Sequence, residues 1–447
     1  MALTRPASVP QLCRQIWELE NDLGLLDMDI AGVYLWQASR MHIYYLLAES
    51  AGLYHPPHVA HHGITAWLGK LKFLARAITL ENPFLKDIHA ETVIFPHTRS
   101  RACDGRQIDV YSDYLCRALV EKHNDVMIFE RPFLNEYVME HSAPNCRVGM
   151  IDSIASIVAN LGVNPMSHED QDRVKALEAA LQEKTGIALN LLSIFSRQLR
   201  RFRIRRKLYG MLLDRCGATK VYIVVSYYLS PLIAACKERG IPVFELQHGI
   251  ISAYHLGYSF PGRAHGSLQY FPDYLLEWAG KWPGTKHLPL DAQHRIEYGF
   301  PYFEHNAAKH SGVRKVPKSV LIVSQTVHGD DLARFILDNI DKFAGWHITY
   351  KLHPSEINRA GAYEALGQLA KVACHFDLST MEDVHALLAR SQAVVGVFST
   401  VLYEALAFGC AVYVCPLSGW EYMEENLENG EMLPFENFRP EMRDGVV

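Results

Sequence analysis

Short apolar runs, separated by segments long enough for a helix, constrain the fold of this chain more than any other feature. In the first half these runs lie at 92–96, 126–129, 147–151, 220–225 and 242–246. In the second half they lie at 319–323, 347–352, 372–376, 393–397 and 411–415. Short runs rich in Val, Ile and Phe are typical of strands that a parallel sheet buries on both faces. The pattern therefore predicts an α/β fold.

The length of the chain predicts how these units are divided. The chain has 447 residues, whereas a single hydrophobic core rarely serves more than about 250–300 residues. We expect two doubly wound, Rossmann-like domains that face each other across a cleft. The first domain would span 1–300, with a helical insertion at 168–214, and the second would span 319–447. The polar segment 301–318, which holds two prolines, is expected to be the linker.

Charge and composition exclude several classes of protein. Lys and Arg number 44 against 49 Asp and Glu, so no basic field is available to hold a nucleic acid. The sequence shows neither a signal peptide nor a bilayer-spanning apolar run, so we expect a cytoplasmic protein. The cysteines form no Cys-x-x-Cys pair, which argues against zinc or a disulfide framework. We predict no metal and no cofactor, and we expect the histidine cluster at 55–62 to be a polar loop.

A basic stretch at 197–207 leaves two interpretations open. It could contact an anionic partner, such as a lipid-linked acceptor or the headgroups at the inner face of an inner membrane. It could instead be a solvated helix paired with the acidic residues at 169–183. The cations of this stretch are Arg197, Arg200, Arg201, Arg203, Arg205, Arg206 and Lys207.

Polar residues follow two predicted strands of the second domain, where ligands of open parallel sheets bind. Ser324 and Gln325 follow the first strand, at the turn that holds phosphate in nucleotide-binding domains. Lys351, His353 and Pro354 follow the next. Because Pro354 restricts the exit turn, it would fix the imidazole of His353, which could donate to a phosphate oxygen.

A third predicted strand of this domain is followed by a helix that begins with hydroxyl side chains. Ser399 and Thr400 lie at its N-terminus, where hydroxyls and unpaired backbone N–H groups form an anion site. Glu404 lies one turn further on the same face, and a carboxylate there suits a ribose diol.

The first domain offers the candidates for a general base. Glu245 and His248 lie at the end of the predicted strand 242–246, directly before Gly249, which permits a close turn. Glu245 is the first candidate and His248 the second. Asp104 and Glu130 are the alternatives.

The combination of His353-Pro354, Ser399-Thr400 and Glu404 resembles bacterial GT-B glycosyltransferases of surface-polysaccharide biosynthesis. Similar His-Pro and Ser-Thr pairs mark bacterial sialyltransferases, capsule Kdo transferases and glycerophosphate polymerases. The resemblance covers 220–430, about half of the chain. By this resemblance, His353, Ser399 and Thr400 would bind the donor phosphate and Glu404 the ribose.

The resemblance also implies the reaction. It favours a cytidine-linked donor, such as CMP-Kdo or CMP-sialic acid, and a growing glycan or lipid-linked acceptor. His353 and the helix N-terminus would stabilise the leaving phosphate, so no divalent ion is expected. Where sialyltransferases have an acidic-acidic-Gly motif, this chain has Cys103 before Asp104-Gly105, so the base and the sugar stay open.

Two rival functions share this architecture. A nucleotide-sugar epimerase would use the cleft without an acceptor, and the basic stretch argues mildly against it. A non-catalytic polysaccharide assembly protein would keep the fold without needing the residues at 245–249.

Overall fold

Two parallel β-sheets, one in each half of the chain, organise the fold. The computed structural model describes residues 5–54, 64–98, 100–133, 135–160, 162, 164–278 and 287–439. The histidine cluster at 55–62 lies outside these residues. None of the helices in the described ranges is long and apolar enough to cross a membrane.

The strands of the first half form one large sheet and a small hairpin. They are β1 (Thr92–Phe95), β2 (Arg101–Cys103), β3 (Arg106–Ile108), β4 (Val126–Glu130), β5 (Asn145–Arg147), β6 (Lys220–Val224), β7 (Val243–Leu246), β8 (Tyr274–Glu277) and β9 (Arg295–Glu297). The large sheet has the order β5-β4-β1-β6-β7-β8-β9, and all its pairs are parallel. β2 and β3 form a separate antiparallel hairpin.

The second sheet repeats this topology. Its strands are β10 (Val316–Val323), β11 (His347–Lys351), β12 (Phe376–Ser379), β13 (Ser391–Gly396), β14 (Ala411–Val414) and β15 (Leu433–Pro434). Their order is β12-β11-β10-β13-β14-β15, again with all pairs parallel. In both sheets the order reverses beside the first strand, and ligands of such sheets bind there, beyond the carboxyl ends. The predicted fold class, two doubly wound α/β domains, is confirmed.

Helices cover the sheets and build an additional helical layer in the first half. They are α1 (Val9–Leu23), α2 (Leu35–Ser50), α3 (Ile64–Thr79), α4 (Asp113–Glu121), α5 (Gly149–Asn160), α6 (His168–Thr185), α7 (Leu191–Cys216), α8 (Ser230–Lys237), α9 (Pro301–Lys309), α10 (Asp331–Asp338), α11 (Glu364–Val372), α12 (Val384–Arg390), α13 (Thr400–Ala407) and α14 (Glu424–Glu428). α6 and α7 lie where the helical insertion is predicted, and they share one apolar core with α1 and α2.

The expected linker at 301–318 is largely regular structure, and it connects β9 of the first sheet to β10 of the second. α9 occupies its first half and β10 begins at Val316. Tyr302, Phe303 and Asn306 are buried, which gives α9 a packed face despite its polar composition. Pro301 starts the helix, where its missing N–H removes no hydrogen bond.

Two predicted strands are displaced along the chain. The run 147–151 begins at the end of β5 and continues into α5, and the run 372–376 joins the end of α11 to the start of β12. Short apolar runs have no period that distinguishes a buried strand from a buried helix. The predicted boundaries of these two strands therefore differ from the observed ones.

Candidate functional site

A cavity of about 490 Å³ lies where the two halves of the chain meet. Helix α2 supplies Met41, Tyr44 and Tyr45, and the loop after β7 supplies 248–250. The second domain supplies Val327, Phe398 and Thr400, from the loops after β10 and β13 and the start of α13. A Cβ added at Gly249 would lie 4.0 Å from Cγ2 of Thr400. The cavity therefore brings the predicted base loop against the predicted anion-binding helix.

Three tyrosine hydroxyls connect the first domain to the second at this cavity. The hydroxyl of Tyr422 lies 2.9 Å from that of Tyr44 and 2.9 Å from that of Tyr54, and the latter two are 3.2 Å apart. Burial raises the pKa of Tyr54 to about 12, so the ring of hydroxyls stays protonated near neutral pH. This wall is not predictable from sequence, because α2 carries no motif that marks it as facing a site.

A hydrogen-bonded chain runs from the cavity into the core of the first domain. Nδ1 of His248 lies 3.2 Å from the hydroxyl of Tyr258. That hydroxyl donates to Oε1 of Glu245, which also accepts the backbone N–H of Ser226 at 2.8 Å. Glu245 is 0% exposed. The structure therefore places His248 at the cavity surface and does not bring Glu245 to it.

The hydrogen bonds that join His248, Tyr258 and Glu245 determine which ring nitrogen of His248 is basic. When Glu245 is ionised its carboxylate only accepts, so Tyr258 donates to Glu245 and accepts from the Nδ1–H of His248. The Nε2 atom of the neutral imidazole is then the unprotonated nitrogen. Burial, with smaller effects from His255 and His97, holds the pKa of His248 well below its usual value. Burial also raises the pKa of Glu245 to about 7, although hydrogen bonds from Tyr258 and Ser226 act to lower it.

The two alternative bases are engaged elsewhere. Asp104 is exposed in the β2–β3 turn, where it accepts from Nζ of Lys309 at 2.5 Å and lies 2.8 Å from Nε2 of His305. Hydrogen bonds from these two partners lower the pKa of Asp104. Glu130 is buried, with its Oε2 3.0 Å from Nε2 of His141. Neither carboxylate lines the cavity.

His353 is held by a network at the end of β11. Its Nδ1 lies 2.9 Å from Oγ1 of Thr326, and its backbone N–H donates to Oε2 of Glu356 at 3.0 Å. Ser324 donates to the other oxygen of Glu356 at 3.1 Å. Pro354 begins the short 3-10 helix that follows. The network fixes both Ser324 and His353 at the carboxyl edge of the second sheet.

Gln325 and Lys351 bond to the backbone of neighbouring loops. Oε1 of Gln325 accepts the N–H of Phe398 at 3.0 Å, which joins the loop after β10 to the loop after β13. Nζ of Lys351 donates to the carbonyl of Thr380 at 2.7 Å. Gln325 therefore positions a residue that lines the cavity, whereas Lys351 bonds to a loop outside the cavity lining.

The predicted helix N-terminus is present at the cavity. Ser399 is the N-cap of α13, and its hydroxyl accepts the N–H of Val401 at 3.3 Å. Thr400 is the first helical residue and lines the cavity. Because the N–H groups of Val401 and Leu402 both donate to Ser399, an anion in the cavity would meet the hydroxyl of Thr400 and the positive end of the helix dipole.

Glu404 lies one turn along α13, but it faces the protein interior. It is 4% exposed, and its Oε2 lies 3.2 Å from Nε2 of His385. Burial acts to lower the pKa of His385, but hydrogen bonds and charges from Asp383 and Glu404 outweigh it and raise the pKa to about 9. Glu404 therefore pairs with an imidazolium near neutral pH, and its ribose contact stays a prediction.

The cations of the basic stretch find partners other than those expected. Nη2 of Arg205 lies 2.8 Å from Asp152, and Nη1 of Arg206 lies 3.4 Å from Glu238. Arg200 donates to the carbonyl of Ala159. These partners come from α5 and α8 and their flanks, because α7 packs against those helices along its length, and not from the acidic residues at 169–183.

Comparisons with known proteins find similarity in structure alone. No protein family and no curated protein matches the sequence. The structure is similar to the UDP-GlcNAc 2-epimerase of Methanocaldococcus jannaschii, with 10% identity over 77% of this chain and 88% of that one and a TM-score of 0.44. It is similar to MurG of Acinetobacter baumannii, with 12% identity over 76% and 83% of the two chains and a TM-score of 0.45. It is also similar to the glycosyltransferase of kitacinnamycin, with 13% identity over 79% and 88% and a TM-score of 0.43. Similarity at this level does not transfer an activity.

Proposed function

We propose that this chain is a glycosyltransferase that transfers a sugar from a nucleotide-sugar donor to an acceptor bound in the cavity. The observation that carries the proposal is that His248 and the N-terminus of α13 line one cavity from its two sides and approach each other through Gly249 and Thr400. Sugar transfer needs a base for the acceptor hydroxyl and positive potential for the leaving phosphate, and these two elements supply them.

His248 is the base in this proposal. Its Nε2 is unprotonated and can accept the acceptor proton as the glycosidic bond forms. The charge that then develops on the imidazole is stabilised through Tyr258 by the carboxylate of Glu245. Glu245 thus acts through its neighbours as a positioning residue.

The second domain would bind the donor. The N-terminus of α13, with Ser399 and Thr400, and the fixed imidazole of His353 would contact the donor phosphate. Glu404 would reach the ribose only if its pair with His385 rearranged. The motif resemblance favours a cytidine nucleotide.

The cavity itself favours an acceptor over the epimerase alternative. An epimerase needs room for the nucleotide sugar alone, whereas this cavity extends to the aromatic wall of Tyr44, Tyr45 and Tyr54. Aromatic and Met side chains offer flat apolar surface to sugar rings or to the apolar part of a lipid-linked acceptor.

The test combines binding with turnover. Thermal unfolding is measured with CMP, UDP, GDP and dTDP, and a nucleotide at about 100 times its Kd should stabilise the fold by roughly 2.7 kcal/mol. The corresponding sugar nucleotides are then incubated with and without candidate acceptors, and the release of nucleotide is followed. We expect acceptor-dependent release. Interconversion of the donor sugar without acceptor would support the epimerase, and binding without turnover would support an assembly protein.

A further inference from the structure

A second cavity, of about 230 Å³, lies between α2 and α7 and is lined by cations. Arg201 and Arg205 contribute their side chains from α7, together with Gln198, and His42 comes from α2. Tyr228 closes another side. The cavity is distinct from the candidate active site, although Met41 lies in the wall of both.

The charge in this cavity is only partly neutralised. Arg197, Arg201 and Arg205 follow one another at a spacing of four, so they share one face of α7. Asp152 pairs with Arg205 at 2.8 Å. Nε of Arg201 and Nε of Arg205 are buried without a hydrogen-bond partner among the described residues.

The excess of positive charge in this cavity also affects the pKa of Arg201. Burial lowers its pKa, repulsion from Arg205 and Arg197 adds to this, and attraction to Asp152 offsets only part of it. His42 has its pKa lowered by burial and by Arg201 and Arg197, so it stays neutral and can still donate a hydrogen bond. The wall therefore carries more positive charge and more donors than the surrounding residues satisfy.

We propose that this cavity binds a phosphoryl or diphosphoryl group. Guanidinium groups present planar, paired donors that match phosphate oxygens, and they are less strongly hydrated than ammonium groups. The volume lies below the roughly 300–1,000 Å³ of sites for drug-sized ligands, so it suits a small anion or a headgroup. The phosphate can belong to a soluble ester or to an anionic lipid, and the experiment separates these sources.

The site would also affect the candidate active site through α2. Ala38, Met41 and His42 face the cationic cavity, whereas Met41, Tyr44 and Tyr45 face the larger one. An anion held by Arg201 and His42 would hold one side of the helix that forms the wall of the other cavity.

The first arm of the test measures binding of pyrophosphate to the full chain by isothermal titration calorimetry. We compare wild type with Arg201→Gln and with the matched control Lys207→Gln, which removes an exposed charge of the same helix outside the cavity. We expect binding to weaken at least about tenfold in Arg201→Gln, because a hydrogen bond to a charged group is lost. The Lys207→Gln variant should stay within about twofold of wild type.

Two results would overturn the proposal. One is an equal weakening of pyrophosphate binding in both variants, which would mean that the anion responds to the overall positive charge of α7 and not to Arg201. The other is unchanged binding in Arg201→Gln, which would place the anion elsewhere, including at the N-terminus of α13. The unliganded Arg201→Gln protein should unfold at the same temperature as wild type or higher, since a repelled cation is removed, and this separates loss of the site from loss of the fold.

The second arm identifies the source of the phosphate. Flotation with vesicles of phosphatidylcholine, with and without phosphatidic acid, is repeated with pyrophosphate as competitor. The site is assigned to a lipid headgroup if the protein binds vesicles only when they contain phosphatidic acid, only when Arg201 is present and only without pyrophosphate. Pyrophosphate binding without vesicle binding assigns it to a soluble phosphate. Neither result depends on the proposed glycosyl transfer, so the two proposals can fail independently.

Discussion

The two walls of the candidate active-site cavity use polar residues in opposite ways. In the first domain, the carboxylate of Glu245 is fully buried and reaches the cavity only through Tyr258 and His248. In the second domain, the cavity wall presents a hydroxyl side chain and a helix N-terminus, at Ser399 and Thr400. A buried carboxylate is suited to control a proton, whereas a hydroxyl at the positive end of a helix dipole is suited to hold an anion. The comparison predicts that changes in the first wall alter turnover and changes in the second alter donor affinity.

The largest effect is expected from His248→Ala. Loss of a general base typically lowers the rate about 10²- to 10⁴-fold, and the nucleotide should bind as in wild type because the second wall is intact. Turnover is measured by nucleotide release and affinity by calorimetry. Glu49→Gln is the control, since Glu49 lines the same cavity and takes no part in the hydrogen bonds that join His248, Tyr258 and Glu245. Turnover within about tenfold of wild type in His248→Ala would remove this residue as the base.

A smaller effect is expected from Glu245→Gln, and it depends on pH. The pKa of Glu245 is about 7, so its carboxylate form increases as the pH rises through that value, and wild-type turnover should rise with it. Glu245→Gln should lower turnover about tenfold to a hundredfold, less than loss of the base itself, and should remove this rise.

The unfolding free energy gives an independent measurement of the same group. The pKa of Glu245 is raised from 4.5 to about 7 on folding, so its contribution to stability is complete below pH 4.5 and lost as the pH rises through about 7. In Glu245→Gln, the unfolding free energy should no longer fall for this reason as the pH rises through about 7. Glu130→Gln is the matched control, because Glu130 is another buried acid of the same sheet. If Glu130→Gln changes the pH dependence of turnover and Glu245→Gln does not, then Glu130, and not Glu245, is the carboxylate that acts with the base.

The second wall is tested through His353→Ala, because His353 bonds to Thr326, the neighbour of the lining residue Val327. If its imidazole donates to the donor phosphate, loss of this charged hydrogen bond should weaken nucleotide binding by about 1.5–3 kcal/mol, with little change in turnover at saturating donor. His347→Ala removes a histidine from the start of β11, one that is exposed and bonded to Asp377, and should bind normally. Equal affinity in His353→Ala and wild type would contradict the assignment of the donor to this wall.

The smallest effect concerns the contact between the walls. Tyr422→Phe removes one hydroxyl from the group it forms with Tyr44 and Tyr54, and this should cost about 0.5–1.5 kcal/mol of stability. The midpoint of urea unfolding measures it, and the double variant with Tyr44→Phe shows whether the two hydroxyls act together. Additive losses would mean that the hydroxyls do not couple the domains.

Part of the site was predictable because it depends on local pattern. A hydroxyl residue before a helix predicts an N-cap, and Ser399 is one. A buried strand followed by Glu245, His248 and Gly249 predicts a polar loop at a sheet edge, and the loop lies at the cavity. The burial of Glu245 was not predictable, because it depends on Tyr258 and Ser226, which bond to it from other segments.

The sequence by itself determined the fold class of this protein and the strand ends at which polar residues collect. The period of apolar residues is a local property, and it sets which segments become buried strands. Tertiary structure alone decided which polar groups face the cavity and which find partners inside the protein. Glu404 pairs with His385 from a neighbouring helix, and Tyr44 bonds to Tyr422 across 378 positions of sequence. Such contacts form only when distant segments pack together, and no local pattern in either segment encodes its partner.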